Sequence, residues 1–193
     1  EADAFAVHLN PLQEYLQPEG NTNFYKVLNG IELLVHHLSV PVIVKEVGAG
    51  ISAFTARRLI DVGVNIIDVA GAGGTSWAGI EIIRSIEPSS ADAFWDWGIP
   101  TVESILAVRK LSKKIFLIGS GGIRNGIDIA KAIALGANIA ASAAPILRAL
   151  NDGGEKEVRK IMDLWEKELR GAMFLTGSRN ISQLRKVKLQ KIS

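Results

Sequence analysis

The segment HLNPLQE, His8 to Glu14, carries an imidazole, two side-chain amides and a carboxylate within seven residues. His8 falls at the end of an apolar run, and Asn10, Gln13 and Glu14 are predicted to follow it in a loop. Imidazole and amide groups can hydrogen-bond the oxygens of a diphosphate, and a carboxylate can hold Mg²⁺ directly or through water. A solitary histidine is more often a core residue, but four polar groups in one short segment favour a binding role.

Two further positions carry chemistry that their surroundings do not explain. Lys45 lies inside the apolar run VIVKE, where an ammonium is unfavourable unless it meets an anion or a flavin. Trp77 and Glu81 are one helical turn apart, so their side chains project from the same helix face. A glutamate exposed on the surface remains the alternative for Glu81.

Glycine-rich turns follow three separate apolar runs: EVGAG at 46–50, GAGGTSW at 71–77 and GSGGIR at 119–124. Glycine lets the backbone approach a ligand closely, and N–H groups beside a helix N-terminus favour an anion. GSGGIR precedes a helix predicted to open at Gly126, and the small residues 142–144 leave room beside it. The pair of turns indicates a phosphate site for a flavin or a nucleotide, with a ligand-free tight turn as the alternative.

The elements that must position these residues alternate between strand and helix. Five apolar runs predict strands at Ala4 to Leu9, Val42 to Glu46, Ile66 to Ala70, Ile115 to Ser120 and Ile139 to Ala143. Helical patterns cover Asn23 to Leu38, Ser52 to Val62, Trp77 to Ser85, Val102 to Leu111, Gly126 to Leu135 and Glu155 to Leu175. In the last helix an apolar stripe predicts core packing; it comprises Ile161, Leu164, Trp165, Leu169, Ala172 and Met173.

This alternation predicts an α/β fold with a parallel sheet. A doubly wound sheet places its phosphate turn once, whereas a (β/α)8 TIM barrel assembles its site from the loops after several strands, as here. A barrel needs eight strands and the pattern supplies five, of which the first begins almost at residue 1. We therefore expect a single domain over residues 1–193 that provides strands four to eight and the C-terminal helices of a barrel. A complete small doubly wound domain is the alternative.

Charges are nearly balanced, with 22 basic and 20 acidic residues and a formal net charge of +2. Apart from the C-terminal cluster RKVKLQKIS the basic residues are scattered, whereas a nucleic-acid surface would gather them on one face. No apolar run is long enough to cross a membrane, and there is no cysteine for a disulfide or a thiolate metal site. The composition predicts a cytoplasmic protein that binds neither nucleic acid nor membrane.

Five dispersed motifs, in order, resemble the type 2 isopentenyl diphosphate isomerases. They are HLNPLQEYLQPEG, PVIVKEVGAGIS, GAGGTSWAGIE, DWGIPT and GSGGIRNGIDIAKAIALGA, and the resemblance runs from Ala2 to about Ser178. It implies a homo-oligomeric barrel enzyme of isoprenoid biosynthesis that uses FMN, Mg²⁺ and NADPH as the flavin reductant. It implies the interconversion of isopentenyl and dimethylallyl diphosphate, by proton transfer at the flavin N5 without net redox change. The N-terminal third or more of the family has no counterpart in this sequence.

The resemblance also implies roles for single residues. It assigns His8, Asn10 and Gln13 to the substrate and Glu14 to Mg²⁺, and it places Gln13, Trp77 and Glu81 close to the reacting atoms. The residues that it assigns to FMN are Lys45, Ala70, Thr75, Gly122, Ile123, Arg124, Ala143 and Ala144. Some members have serine where Ala70 stands, so only a backbone contact is expected there.

Three other readings remain open at this point. A 2-hydroxy-acid oxidase shares the lysine-bearing strand and the glycine turns, but it needs a histidine base late in the barrel, and no histidine follows His37. A purine-nucleotide oxidoreductase of related fold needs a catalytic cysteine, and the chain has none. The third reading is a fragment that binds or packs without catalysing.

Overall fold

The computed structural model describes residues 2–84 and 90–190. Its five strands are β1 Phe5–His8, β2 Val42–Lys45, β3 Ile66–Asp68, β4 Phe116–Ser120 and β5 Ile139–Ala141. They form one parallel sheet in the order β1-β2-β3-β4-β5. Because the spatial order follows the chain order without reversal, the sheet lacks the switch point of a doubly wound fold and corresponds to an arc of a barrel.

Helices separate the strands. They are α1 Pro11–Leu16, α2 Val27–His37, α3 Ala53–Asp61, α4 Trp77–Arg84, α5 Thr101–Leu111, α6 Gly126–Ala134, α7 Ala144–Leu175 and α8 Ile181–Leu184, with a 3-10 turn at Ser90–Phe94. Ser85, the predicted end of one helix, and residues 191–193 of the basic C-terminal cluster lie outside the described residues. None of the described helices is long and apolar enough to cross a membrane.

Local sequence signals explain where several helices begin and end. The Ser52 side chain accepts a hydrogen bond from the Thr55 N–H and so caps α3. Gly63 and Gly136 follow α3 and α6 with φ values of 92° and 115°, a conformation that glycine adopts without steric penalty. These boundaries confirm the predicted ones.

The core lies between the sheet and the helices that cover it. Val44, Ile67 and Leu117 from the strands pack with Leu59 of α3 and Ile105 of α5, and all are at most 2% exposed. Full burial of each such side chain contributes roughly 1.5–3 kcal/mol. The core therefore fixes the strands as a rigid platform, whose carboxyl ends carry the loops.

Three predictions about elements are wrong. Asn10 to Glu14 were expected in a loop, but Pro11–Leu16 form α1, with Pro11 in the first turn. The strands that begin at Ile66 and Ile139 end two residues early, because Ala70 has a φ of 35° and residues 142–143 turn into α7. The last helix begins at Ala144, not near Glu155.

The long helix α7 has two parts. Gly153 and Gly154 have non-helical backbone angles and divide it. After the division, Trp165 is buried, and Leu169, Ala172 and Met173 pack against the small core around Ala130 and Ile133. Ile161 and Leu164, from the same predicted apolar stripe, instead line a cleft. The prediction of core packing is thus confirmed for the C-terminal half of the stripe.

Candidate functional site

An open cleft with a volume of about 1040 Å³ lies at the carboxyl ends of the strands. Most of the residues singled out from the sequence line it, namely His8, Gln13, Lys45, Ala70, Thr75, Trp77, Gly122, Ile123, Arg124, Ala143 and Ala144. Segments that are far apart in the chain thus meet at one place. The carboxyl ends of parallel strands are where α/β folds carry their ligand sites.

A row of polar side chains crosses the floor of this cleft. His8, Lys45 and Asp68 are in register on the adjacent strands β1, β2 and β3, so their side chains lie on the same face of the sheet. Ser120 of β4 reaches the row through its Oγ, which donates to Asp68 Oδ1 at 2.5 Å. The Lys45 Nζ donates to the Glu46 carbonyl at 2.5 Å.

The glycine-rich turns pack against one another. A Cβ on Gly122 would lie 2.3 Å from the Gly73 carbonyl oxygen, and one on Gly74 would lie 2.7 Å from the Gly122 nitrogen. Gly122 also has a φ of 76°. From the sequence, the absence of side chains here was attributed to the close approach of a ligand. The contact between the two loops, however, already requires glycine at both positions.

Two helices begin beside the cleft, and their first turns differ. At α6 the Asn125 side chain accepts from the Asp128 N–H at 2.7 Å, and a Glu168 oxygen accepts from the Gly126 N–H at 2.7 Å. At α7 the preceding residue is Ala143, which has no side chain to cap the helix. The positive end of α6 is therefore satisfied by the protein, whereas that of α7 opens on the cleft.

The loop after β4 lies next to this open helix end. Ser142 donates from Oγ to the Ile123 carbonyl at 2.6 Å, and Arg124 donates from Nη2 to the Gly73 carbonyl at 2.7 Å. Within the described part of the chain, the N–H groups of Gly122 and Ile123 donate to no backbone or side-chain acceptor. Donors from the loop and from the first turn of α7 thus gather where an anion would bind.

Comparison with known families matches residues 13–191 to FMN-dependent dehydrogenases. The chain belongs to the FMN-dependent dehydrogenase family. The predicted family resemblance is confirmed by relatives named isopentenyl-diphosphate delta-isomerase. The protein of Stutzerimonas stutzeri (strain A1501) is 51% identical over 196 residues, which cover 100% of this chain and 56% of the relative. That of Chlorobaculum parvum is 48% identical over 200 residues, 96% of this chain and 55% of the relative.

Solved structures share the fold. A Pediococcus acidilactici protein described as a lactate oxidase superposes with a TM-score of 0.68 at 23% identity, covering 91% of this chain and 43% of that one. A mandelate oxidase with benzoyl-formic acid gives 0.63 at 24% identity, over 82% and 42%. Together with the strand order, this likeness confirms the predicted partial (β/α)8 barrel. The chain spans a little over half the length of the relatives it matches.

The cleft of this family member fits FMN by its donor set. A phosphate ester needs N–H donors and positive charge, and both are present at the open end of α7 and in the loop at Gly122 and Ile123. Lys45 adds a cation to the floor of the cleft, and Thr75 adds a hydroxyl to its lining. The sequence predicted that the turn opening α6 shares in the phosphate site, but the Gly126 and Asp128 N–H groups there are already paired with Glu168 and Asn125.

Helix α1 connects the first motif to α4. Gln13 donates from Nε2 to Glu81 Oε1 at 3.3 Å, and Gln17 donates to the same oxygen at 2.8 Å. Arg84 Nη1 lies 3.8 Å from that oxygen. Glu81 is 7% exposed and Trp77 is 42% exposed, so the shared helix face turns the tryptophan to the cleft and the carboxylate to α1. The surface alternative for Glu81 is wrong.

Glu14 lies outside the main cleft and is held by two donors. The Asn21 N–H donates to Oε2 at 2.7 Å, and Asn10 Nδ2 donates to Oε1 at 3.0 Å. The Asn21 hydrogen bond first, then the one from Asn10, holds the pKa of Glu14 below its ordinary range. Asn10 and Gln13 border a smaller cavity together with Trp77 and Glu46.

A metal cage made of protein alone is absent from residues 2–84 and 90–190. No group of three or more histidine, aspartate or glutamate side chains lies close enough to hold an ion there. Glu14 is thus a lone anionic oxygen donor beside amides, and Mg²⁺ would need further oxygens from water or from a ligand.

Two charged residues that line the cleft, Asp68 and Arg148, were not predicted from the sequence. Ser120 and Ser142 were noted there only as parts of small-residue turns. Asp68 had a signal, because an acidic residue inside the apolar run IIDVA is as anomalous as a lysine inside VIVKE. Arg148 had none, since its place on the first part of α7 depends on a helix that the sequence did not predict.

Proposed function

We propose that this chain forms the FMN- and substrate-binding arc of an isopentenyl-diphosphate isomerase. One observation carries the proposal. Gln13 of the HLNPLQE motif stands on the wall of the cleft that holds Lys45 and Thr75, and it is hydrogen-bonded to the buried Glu81. His8 and Gln13 of the proposed diphosphate-binding motif thus lie in the same cleft as the proposed flavin residues. An enzyme for small 2-hydroxy acids has no use for a diphosphate-binding motif.

The cofactor residues are proposed from their place in the cleft. The N–H groups of Gly122, Ile123, Ala143 and Ala144 and the Arg124 guanidinium would hold the phosphate, and Lys45, Thr75 and the Ala70 backbone would hold the rest; the Arg124 N–H itself donates to Asp128 Oδ2 at 3.2 Å. When it is bound in its reduced form, FMN supplies the proton-transfer chemistry that moves a double bond. Its reductant is proposed to be NADPH.

The substrate end of the cleft belongs to the first motif. His8, Asn10 and Gln13 would hydrogen-bond the diphosphate, and the Asn10 amide also holds Glu14 in place. Glu14 would anchor Mg²⁺, since several phosphate charges crowd into one pocket and their repulsion is on the order of several kcal/mol at an intermediate dielectric. A cation offsets that repulsion.

Gln13, Trp77 and Glu81 are the proposed residues at the reacting atoms. Trp77 offers an apolar wall that suits a hydrocarbon chain and keeps water away from it. Glu81 fixes the Gln13 amide by accepting its hydrogen bond, and its carboxylate, which can take up and release a proton, is the proposed second acid/base group. Gln17 and Arg84 meet the same carboxylate oxygen and hold it in place.

We further propose that the enzyme needs additional barrel units, as its longer relatives have, and that it assembles as a homo-oligomer. Phe5 of β1 is 45% exposed and Ile139 of β5 is 46% exposed, so both ends of the arc offer apolar surface. The cytoplasmic location stays a prediction. Below, the full-length protein means this chain together with those units.

The test is an isomerisation assay on the full-length protein. With FMN, a reductant and Mg²⁺, we expect isopentenyl diphosphate to convert to dimethylallyl diphosphate, followed by proton NMR, and we expect no oxidation of lactate or mandelate. Oxidation of a 2-hydroxy acid without isomerisation would overturn the proposal in favour of an oxidase, the function named for the two solved structures described above.

A paired substitution tests the metal role. Glu14→Gln keeps the side-chain shape and removes the charge, so the Mg²⁺ concentration for half-maximal rate should rise at least about tenfold with FMN content unchanged. Glu19→Gln removes an exposed acid from the same region and serves as the control. Equal Mg²⁺ requirements in the two variants would exclude Glu14 as the metal anchor.

A further inference from the structure

Asp68 is a buried acid in the cleft whose role nothing above assigns. It is 7% exposed, although it lines the cleft wall. Its Oδ1 accepts from Ser120 Oγ at 2.5 Å and from the Ala70 N–H at 3.2 Å. A carboxylate placed so deep requires compensation, because transfer of a charge out of water is strongly unfavourable.

The compensation comes first from these two hydrogen bonds and then from a charge on the neighbouring strand. Lys45 and Asp68 are register partners on β2 and β3, so their side chains leave the sheet on the same face and side by side. Lys45 Nζ is hydrogen-bonded to the Glu46 carbonyl, so the two charges act on each other across space. Burial raises the pKa of Asp68, while the Ser120 hydroxyl, the Ala70 N–H and the Lys45 charge oppose that rise.

The other buried acid nearby is used differently. Glu46 is 5% exposed, and its Oε2 accepts from the N–H groups of Val47, Gly48 and Ala49 at 2.6, 3.0 and 2.7 Å. Glu46 therefore ties down its own loop. Asp68 accepts its hydrogen bonds through Oδ1 alone, and Oδ2 accepts none from any described residue.

We propose that Asp68 is the counter-charge to Lys45 in the cleft, fastened by Ser120, and that this pair sets the relative affinity of the cleft for oxidised and reduced FMN. The inference rests on the proposed function, because it requires FMN in this cleft. Reduced FMN carries an added negative charge at neutral pH. An ammonium on the wall favours that charge, and a carboxylate beside the ammonium opposes it, so the two together keep the preference moderate.

The test compares Asp68→Asn with the parent in the FMN-loaded full-length protein. Asparagine retains an oxygen that accepts from Ser120 and Ala70 while it removes the negative charge. We expect the ratio of affinities for reduced over oxidised FMN to rise about tenfold, which is about 30 mV more positive for a two-electron couple. Anaerobic reduction against a reference dye, followed by the flavin absorbance, gives this potential. Asp61→Asn removes an exposed acid at the end of α3 and should leave it unchanged.

Ser120→Ala separates a charge role from a packing role, and it remains available if Asp68→Asn does not fold. Loss of the hydroxyl weakens the hold on the carboxylate, so the potential should shift in the same direction by less. In the Asp68→Asn background, Ser120→Ala should add nothing, because Ser120 acts through Asp68. Additive shifts, a more negative potential or no shift in either single variant would overturn the inference. If the parent protein binds no FMN, it is the proposed function that fails.

Discussion

The first turns of α6 and α7 both lie beside the cleft, but only the N–H groups of α6 are capped by the protein. Asn125 and Glu168 satisfy the N–H groups of α6, and the helix packs against α7 through many contacts. Ala143 leaves the first turn of α7 without a cap. A side-chain cap satisfies the first N–H groups of a helix and stabilises it. An uncapped first turn leaves these N–H groups available to an anionic ligand. The difference favours the α7 end as the proposed phosphate site.

The largest effect is expected where this difference is erased. Ala143→Asp places a carboxylate at the α7 cap, so it occupies the donors and repels a phosphate. FMN affinity of the full-length protein should fall roughly 100-fold, about 3 kcal/mol, by charge repulsion at short range. Flavin content after gel filtration and a fluorescence titration measure it. The urea midpoint of the apoprotein should not fall, and a protein that unfolds more easily yet keeps its FMN would contradict the comparison.

The reverse change at α6 should act on the fold. Asn125→Ala removes the side-chain cap and should lower the free energy of unfolding by about 1 kcal/mol. FMN affinity should stay within a factor of about two, since this helix end does not serve the ligand. Urea unfolding and a flavin titration on the same preparation check both halves. A large loss of FMN with intact stability would move the phosphate site to α6.

A smaller effect is expected at the second group that closes α6. Glu168→Gln keeps an acceptor for the Gly126 N–H but removes the negative charge from the positive helix end. The loss should be about 0.3–1 kcal/mol of unfolding free energy and should shrink in high salt. Unfolding curves at low and high salt measure it. A loss that does not depend on salt would mean that packing, rather than charge, explains Glu168.

The sequence predicted the platform well and the details of the site unevenly. Strands with both faces apolar and turns rich in glycine carry local signals, so β2, β4 and the turn at 119–124 could be placed. The cap on α6 comes partly from Glu168, 42 positions after the residue that it caps, and no local pattern reveals such a contact. For that reason the sequence could not show that the first turn of α6 is already satisfied by the protein.

Helix α1 shows a second limit. A helix of six residues makes few internal hydrogen bonds and is held by its packing on α4, so propensity alone does not predict it. The hydrogen bond between Gln13 and Glu81 joins residues 68 positions apart and follows from that packing. Asp68 could have been predicted from the sequence. Like Lys45, it is a charged residue inside an apolar run.

The most direct test of a phosphate site at α7 compares the affinities for FMN and for riboflavin, which lacks the phosphate, in the parent and in Ala143→Asp. Isothermal titration of both ligands gives the contribution of the phosphate as the ratio of the two affinities. We predict that FMN binds the parent at least about 100-fold more tightly than riboflavin, and that this ratio falls close to one in Ala143→Asp while riboflavin affinity is unchanged. An equal ratio in both proteins would show that the open end of α7 does not hold the phosphate.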